Sequence, residues 1–165
     1  MRRLGVVVAV IAAFAGSTIA AGPASGASLP GGAYCAVTLP SGNVMCADSP
    51  AALTREWNSV PHTEATQFLI ARLYDNSNFD TSAGYLNVYA GGDCTISTGN
   101  VDYSLSDLGT WSSRVSSFQT FGNCATRLWS GTGFAGTAYP SSGYLVNSSY
   151  VGAAFNDKAR SAQFS

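Results

Sequence analysis

The sequence is poor in charge. Only 8 basic and 9 acidic side chains occur in 165 residues, a formal charge of −1, which leaves no field to gather nucleic acid or an anionic membrane surface. One histidine is present, so a zinc centre of several imidazoles is excluded, and histidine-assisted catalysis would rest on His62 alone. A second long apolar run is also missing. The one such run, Leu4 to Ala15 behind Met1-Arg2-Arg3, is shorter than the ~20 residues needed to span a bilayer and has the length of a signal h-region. Its arginine pair lacks the surroundings of a twin-arginine signal. A general secretory signal over residues 1–27 is therefore expected, with cleavage after Ala20 or after Ala27. The remaining 138 residues carry 6 basic and 9 acidic side chains and make one secreted domain of ordinary size, without a membrane anchor.

No two cysteines lie two to four residues apart, the spacing of zinc ligands, and an exported chain has little reason to keep free thiols. Cys35, Cys46, Cys94 and Cys124 therefore predict two disulfides. Of three connectivities, Cys35–Cys46 and Cys94–Cys124 is favoured, because the first pair brackets the turn signal Pro40-Ser41-Gly42-Asn43 and the second lies within one later unit. By loop closure each bridge would stabilise by about 3–4 kcal/mol.

Residues 28–67 read as a small N-terminal unit and linker. Strands over Tyr34–Leu39 and Val44–Ala47 flank the turn, and Ser49-Pro50 opens a short helix through Leu53 to Trp57, serine capping and proline first; Pro61 ends it. Beyond that point glycine, serine, threonine, asparagine and aromatics dominate. Alternations such as Tyr85-Leu86-Asn87-Val88-Tyr89 predict strands.

A duplication organises the rest. Leu73-Tyr74-Asp75-Asn76-Ser77-Asn78-Phe79 matches Leu128-Trp129-Ser130-Gly131-Thr132-Gly133-Phe134, and Trp111 to Gln119 matches Phe155 to Gln163. The first copy is about eleven residues longer, and the surplus is expected around Gly91 to Val101, where a Cys94–Cys124 bridge would pin it. Each copy has an aromatic residue, then Phe five places on, as in Trp129 and Phe134, with Gly136 after it in the second. Each later reaches a polar turn that ends in serine.

At these positions the sequence resembles the βγ-crystallin Greek-key family, including its secreted bacterial members and the small metalloprotease inhibitors that share the fold. The resemblance implies an all-β protein in which two Greek keys, 68–119 and 123–165, form one sandwich over 68–165, beside the N-terminal disulfide hairpin and short helix. This sequence departs from the family pattern in three places. Thr81 replaces the hairpin glycine of the first key, with Gly84 following, so that hairpin should be altered or bulged. The first loop, Ser112-Ser113-Arg114-Val115-Ser116-Ser117, lacks leading acids or amides, and the second, Asn156-Asp157-Lys158-Ala159-Arg160-Ser161, has Arg160 in place of a hydroxyl.

In calcium-binding members an acid or amide from one loop meets a hydroxyl from the other. That implies one weak calcium site from Asn156, Asp157 and Ser116, and a reciprocal position, Ser112 and Ser113 with Arg160, where a guanidinium repels the ion. No hydrolase signature surrounds His62, and nothing selects a catalytic pair from Asp75, Asp80, Asp93, Asp102 and Asp107, which read as turn acids. Tyr74, Trp111, Phe118, Trp129 and Phe134 are assigned to the core and hairpin corners. Tyr85, Tyr89, Tyr103, Tyr139, Tyr144 and Tyr150 are candidates for an exposed sugar-stacking surface. The expected function is that of a non-enzymatic extracellular protein of the peptidase-inhibitor type. Loops Gly91–Asp102 and Pro140–Ser149 are candidates to enter an extracellular protease. The alternative is a calcium-binding structural or cell-wall glycan-binding module of antifungal type.

Overall fold

The computed structural model describes residues 33–61, 68–95 and 99–165; the expected signal segment and His62 lie outside them. The chain enters through β1 (Tyr34–Thr38) and β2 (Asn43–Ala47), an antiparallel pair that sets Cys35 directly opposite Cys46, where they are disulfide-bonded. The N-terminal helix follows as the sequence predicts. In α1 (Pro50–Ser59) the Ser49 hydroxyl accepts the Ala52 N–H at 3.2 Å and proline occupies the first turn, where no intrahelical donor is needed. Val60, which precedes Pro61, is extended, as the proline ring demands of its predecessor.

The duplicated region folds into two four-stranded keys. The first comprises β3 (Phe68–Tyr74), β4 (Tyr85–Ala90), β5 (Tyr103–Leu105) and β6 (Ser117–Thr120); the second comprises β7 (Thr126–Trp129), β8 (Ala138–Tyr139), β9 (Asn147–Ser148) and β10 (Ser161–Phe164). Each key lends its third strand to the other. β9 pairs with β6, and β5 pairs with β10, so the sheets run β2-β1-β4-β3-β6-β9 and β5-β10-β7-β8. Two Greek keys thus form one sandwich that neither could close alone. Alternate residues fill it: Leu73, Leu86, Val88 and Phe118 from one sheet, Leu128, Ala162 and Phe164 from the other, with Trp111 and Val115 from a connecting loop.

The two keys differ where the sequence departs from its own repeat. Tyr74 pairs with Tyr85 whereas Trp129 pairs with Ala138, so the first hairpin encloses two more residues. Its turn is held by the Asp80 carboxylate, which accepts the Ser82 N–H at 2.9 Å, the Ser82 hydroxyl at 2.9 Å and the Asn76 amide at 3.1 Å. The Ser82 backbone bond, first among these, holds the Asp80 carboxyl below its usual pKa. Gly84 then sits at φ 122°, and a Cβ there would lie 2.0 Å from the Ala33 carbonyl oxygen. Only glycine lets the N-terminal hairpin approach so closely, and Tyr85 N–H donates to that same carbonyl at 3.1 Å.

This approach makes the hairpin part of the sandwich. β1 runs parallel to β4, extending one sheet to six strands, a pairing that no local signal in the sequence specifies. Most of the extra length of the first key lies between β4 and β5, where the Cys94–Cys124 disulfide and a 2.8 Å bond from Cys94 N–H to Gly122 carbonyl fasten it to the β6–β7 connection. α1 covers the outer face of the extended sheet, so Tyr85, expected to be exposed, is 8% accessible. Among the other candidate tyrosines, Tyr150 is exposed and Tyr89, Tyr103, Tyr139 and Tyr144 are half-buried.

Candidate functional site

The two polar turns meet between the keys. Ser117 and Ser161, both fully buried, end them identically. The Ser117 hydroxyl donates to the Asn76 carbonyl (2.6 Å) and accepts the Phe79 N–H (3.1 Å); Ser161 donates to the Gly131 carbonyl (2.7 Å) and accepts the Phe134 N–H (3.1 Å). Each serine latches its turn to the folded hairpin of the same key. Phe79 and Phe134 have positive φ (61° and 63°), so their amides point inward to be capped.

The turns also bond to each other about a local two-fold. Ser113 N–H donates to Ala159 carbonyl at 2.8 Å and Asp157 N–H to Val115 carbonyl at 3.3 Å, with both donors left-handed, at φ 64° and 57°. Aspartate tolerates that conformation better than most side chains. It carries the Asp157 carboxylate over the opposite key, where Oδ1 accepts the Ser116 hydroxyl at 3.3 Å and Oδ2 accepts the Asn156 amide at 2.7 Å. Asn156 Oδ1 is buried and has no partner among the described residues.

These groups line a pocket of about 480 Å³ together with Asp75, Asn76, Ser77 and Tyr150. Its charge is set by three side chains. Arg114 contacts Asp75 Oδ2 through Nη2 at 2.8 Å and Nε at 3.2 Å, donates to Ala83 carbonyl at 3.3 Å, and lies 4.4 Å over the Trp111 ring. Asp75 is thereby compensated, and Asp157 is left as the carboxylate available to a cation. Among the described residues no group of three or more His, Cys, Asp or Glu side chains gathers anywhere, so soft-metal chemistry has no donor set here. The pocket instead offers hard oxygens, a carboxylate, hydroxyls and an amide carbonyl, the kind of donors calcium takes.

At the reciprocal position the side chains are different. Arg160 replaces Ser116, Ser113 replaces Asp157 and Ser112 replaces Asn156; Arg160 is exposed, and the carboxylate met there is that of Asp107, which accepts the Ser112 hydroxyl at 3.4 Å. Asp80, Asp102 and Asp107 cap turns, as their sequence context suggests, whereas Asp75 pairs with Arg114. Asp102 accepts the Thr95 N–H and hydroxyl, and Asp107 accepts the Gly109 N–H. Of the two loops considered for protease contact, Gly91–Asp102 includes residues 96–98, outside the described set. Pro140–Ser149 is braced by Arg127 donating to Ser141 carbonyl (2.9 Å) and by two bonds between Leu145 and Thr126 (2.7 and 3.0 Å).

No protein-family model matches the chain, and no curated protein matches it. Solved structures similar to it are bacterial βγ-crystallin domains. One, from Clostridium beijerinckii, is 15% identical, with 58% of this chain and 95% of that domain covered at a TM-score of 0.40. Another, from Flavobacterium johnsoniae, is 16% identical, with 58% and 93% covered at 0.40. A double mutant of clostrillin in complex with nickel is 19% identical, with 59% and 98% covered at 0.41.

The Asp75–Arg114 pair, which joins residues 39 apart, and a second polar cleft under α1 lie beyond the reach of local sequence patterns. Only the period-two run Tyr85-x-Asn87-x-Tyr89 hinted at the latter.

Proposed function

We propose that this chain is a secreted, non-catalytic βγ-crystallin-type module that binds one calcium ion weakly between its two keys, through Asp157, Asn156 and Ser116. The observation that carries this reading is the convergence of Asp157 and Ser116, from opposite keys, beside a buried amide oxygen that lacks a donor. Calcium supplies what that arrangement wants, a positive centre accepting several oxygens at once. Affinity is weak because one net carboxylate serves it and because the ion must displace the Ser116 and Asn156 hydrogens from Asp157. Two disulfides suit an oxidising extracellular setting, and no helix among the described residues is long and apolar enough to cross a membrane. Calorimetric titration with calcium tests the reading: one ion per chain is expected for the native protein and none for Asp157→Ala. Absence of a calcium isotherm would remove it.

A second reading, peptidase inhibition, has one structural support. The braced Pro140–Ser149 loop holds out Val146, 59% exposed, on a backbone already ordered, which lowers the entropy lost on entering a protease cleft. Titrating a thermolysin-like metalloprotease with the protein checks it. Undiminished protease activity at micromolar excess would dismiss it.

A further inference from the structure

The outer face of the six-stranded sheet carries a row of polar and aromatic side chains where a half-solvated sheet ordinarily carries unrelated ones. Tyr85, Asn87 and Tyr89 alternate along β4, so all three point the same way, toward α1. Trp57, on the buried side of that helix, stacks on Tyr89 with ring centroids 4.3 Å apart and planes 24° from parallel. Between helix and sheet lies a cleft of about 230 Å³, walled by this stacked pair and by Tyr85, with Asn58 at its rim and Asn87 at its floor.

The floor is fixed in place. Arg72 Nε donates to Asn87 Oδ1 at 2.7 Å while its guanidinium lies 4.5 Å over the Tyr85 ring. The Asn87 amide nitrogen is thereby turned toward the Tyr89 hydroxyl, 3.4 Å away. Two more polar groups stand ready. The Asn58 amide and the Tyr85 hydroxyl have no hydrogen-bond partner among the described residues. Burial raises the pKa of both Tyr85 and Tyr89, keeping their hydroxyls protonated as donors.

We infer that this cleft binds one pyranose ring of a neutral glycan, with its C–H face against the Trp57–Tyr89 wall and its hydroxyls on Asn58, Asn87 and Tyr85. The volume falls below the ~300–1,000 Å³ of drug-sized sites, which suits a single ring and excludes a nucleotide or bulky cofactor. The aromatic rings of Trp57, Tyr89 and Tyr85 beside planar amides offer apolar contact and paired donors and acceptors at once, the two demands a sugar makes. Among the described residues no carboxylate lines the cleft, and the Arg72 guanidinium beside it is engaged with Asn87 and Tyr85, which favours an uncharged ligand. The cleft shares no lining residue with the pocket around Asp157, so sugar binding there does not require calcium.

The test is an NMR titration of ¹⁵N-labelled protein with cellotetraose, chitotetraose and mannotetraose at millimolar concentration, following the tryptophan indole and asparagine side-chain signals. At least one sugar is expected to move the Trp57 indole and the Asn58 and Asn87 amides while leaving the buried Trp111 indole unmoved. Asn58→Ala, an exposed helix position that should not disturb folding, is expected to weaken that sugar about tenfold, and Trp57→Phe to weaken it less. The inference is overturned if none of the three shifts these signals, or if the shifts persist at full strength in Asn58→Ala and Trp57→Phe.

Discussion

Ser116 and Arg160 occupy equivalent places in the two keys: Ser116 N–H donates to Tyr74 carbonyl at 2.9 Å, Arg160 N–H to Trp129 carbonyl at 2.7 Å, each closing its turn onto the first strand of its key. The backbone is the same and the chemistry opposite. Ser116 donates to a carboxylate from the other key, that of Asp157; Arg160 is itself a cation, and the counterparts of Asn156 and Asp157 are Ser112 and Ser113.

If side chains alone make the difference, the second position can be converted. Arg160→Ser removes the repelling charge but leaves serine at position 113, where the other site has its aspartate, so by itself it should bind no further ion. Combined with Ser113→Asp, placed where φ is already 64° and thus suited to aspartate as at Asp157, it should raise the calcium stoichiometry from one to two in a calorimetric titration.

The serine latches are the second point of test. Ser117→Ala or Ser161→Ala strips a half-buried carbonyl and a half-buried amide of their partner at one stroke. Each should lower unfolding free energy by about 1–3 kcal/mol in denaturant titration, with similar size in the two keys, whereas Ser112→Ala should lie within about 0.5 kcal/mol of the native value.

Alkaline pH supplies a third. Burial, opposed in smaller measure by the Arg72 charge, lifts the pKa of Tyr85 and Tyr89 above the ordinary tyrosine value near 10. The folded state then holds protons that the unfolded chain releases. Stability from this source is complete below the unfolded value and is lost as pH rises through the higher folded values. Melting temperature should hold level up to about pH 10 and fall beyond it, and Tyr89→Phe should shrink the fall without altering the level part.

What the sequence made legible follows from the range of each signal. The Ser49-Pro50 helix start, the turn between Cys35 and Cys46, and the repeated aromatic–Phe hairpins are local patterns, and each appears where the pattern put it. The offset between the copies also located the insertion that Cys94–Cys124 fastens. Parallel pairing of β1 with β4 was not legible, because it depends on Gly84 meeting Ala33 across some fifty residues. Nor was the burial of Tyr85: alternation along a strand says that there are two faces, not that a helix will cover the outer one. The placement of Asp157 against Ser116 followed from resemblance, but the compensation of Asp75 by Arg114, which sets the charge of the pocket, required the folded chain.

A calcium ion bound where the two keys meet binds the folded state alone. Thermal melting in chelator and in millimolar calcium measures this directly. The native protein should gain about 1–3 kcal/mol of stability with calcium, seen as a higher melting temperature, and Asp157→Ala should gain nothing. Superimposable melts of the native protein with and without calcium would contradict it.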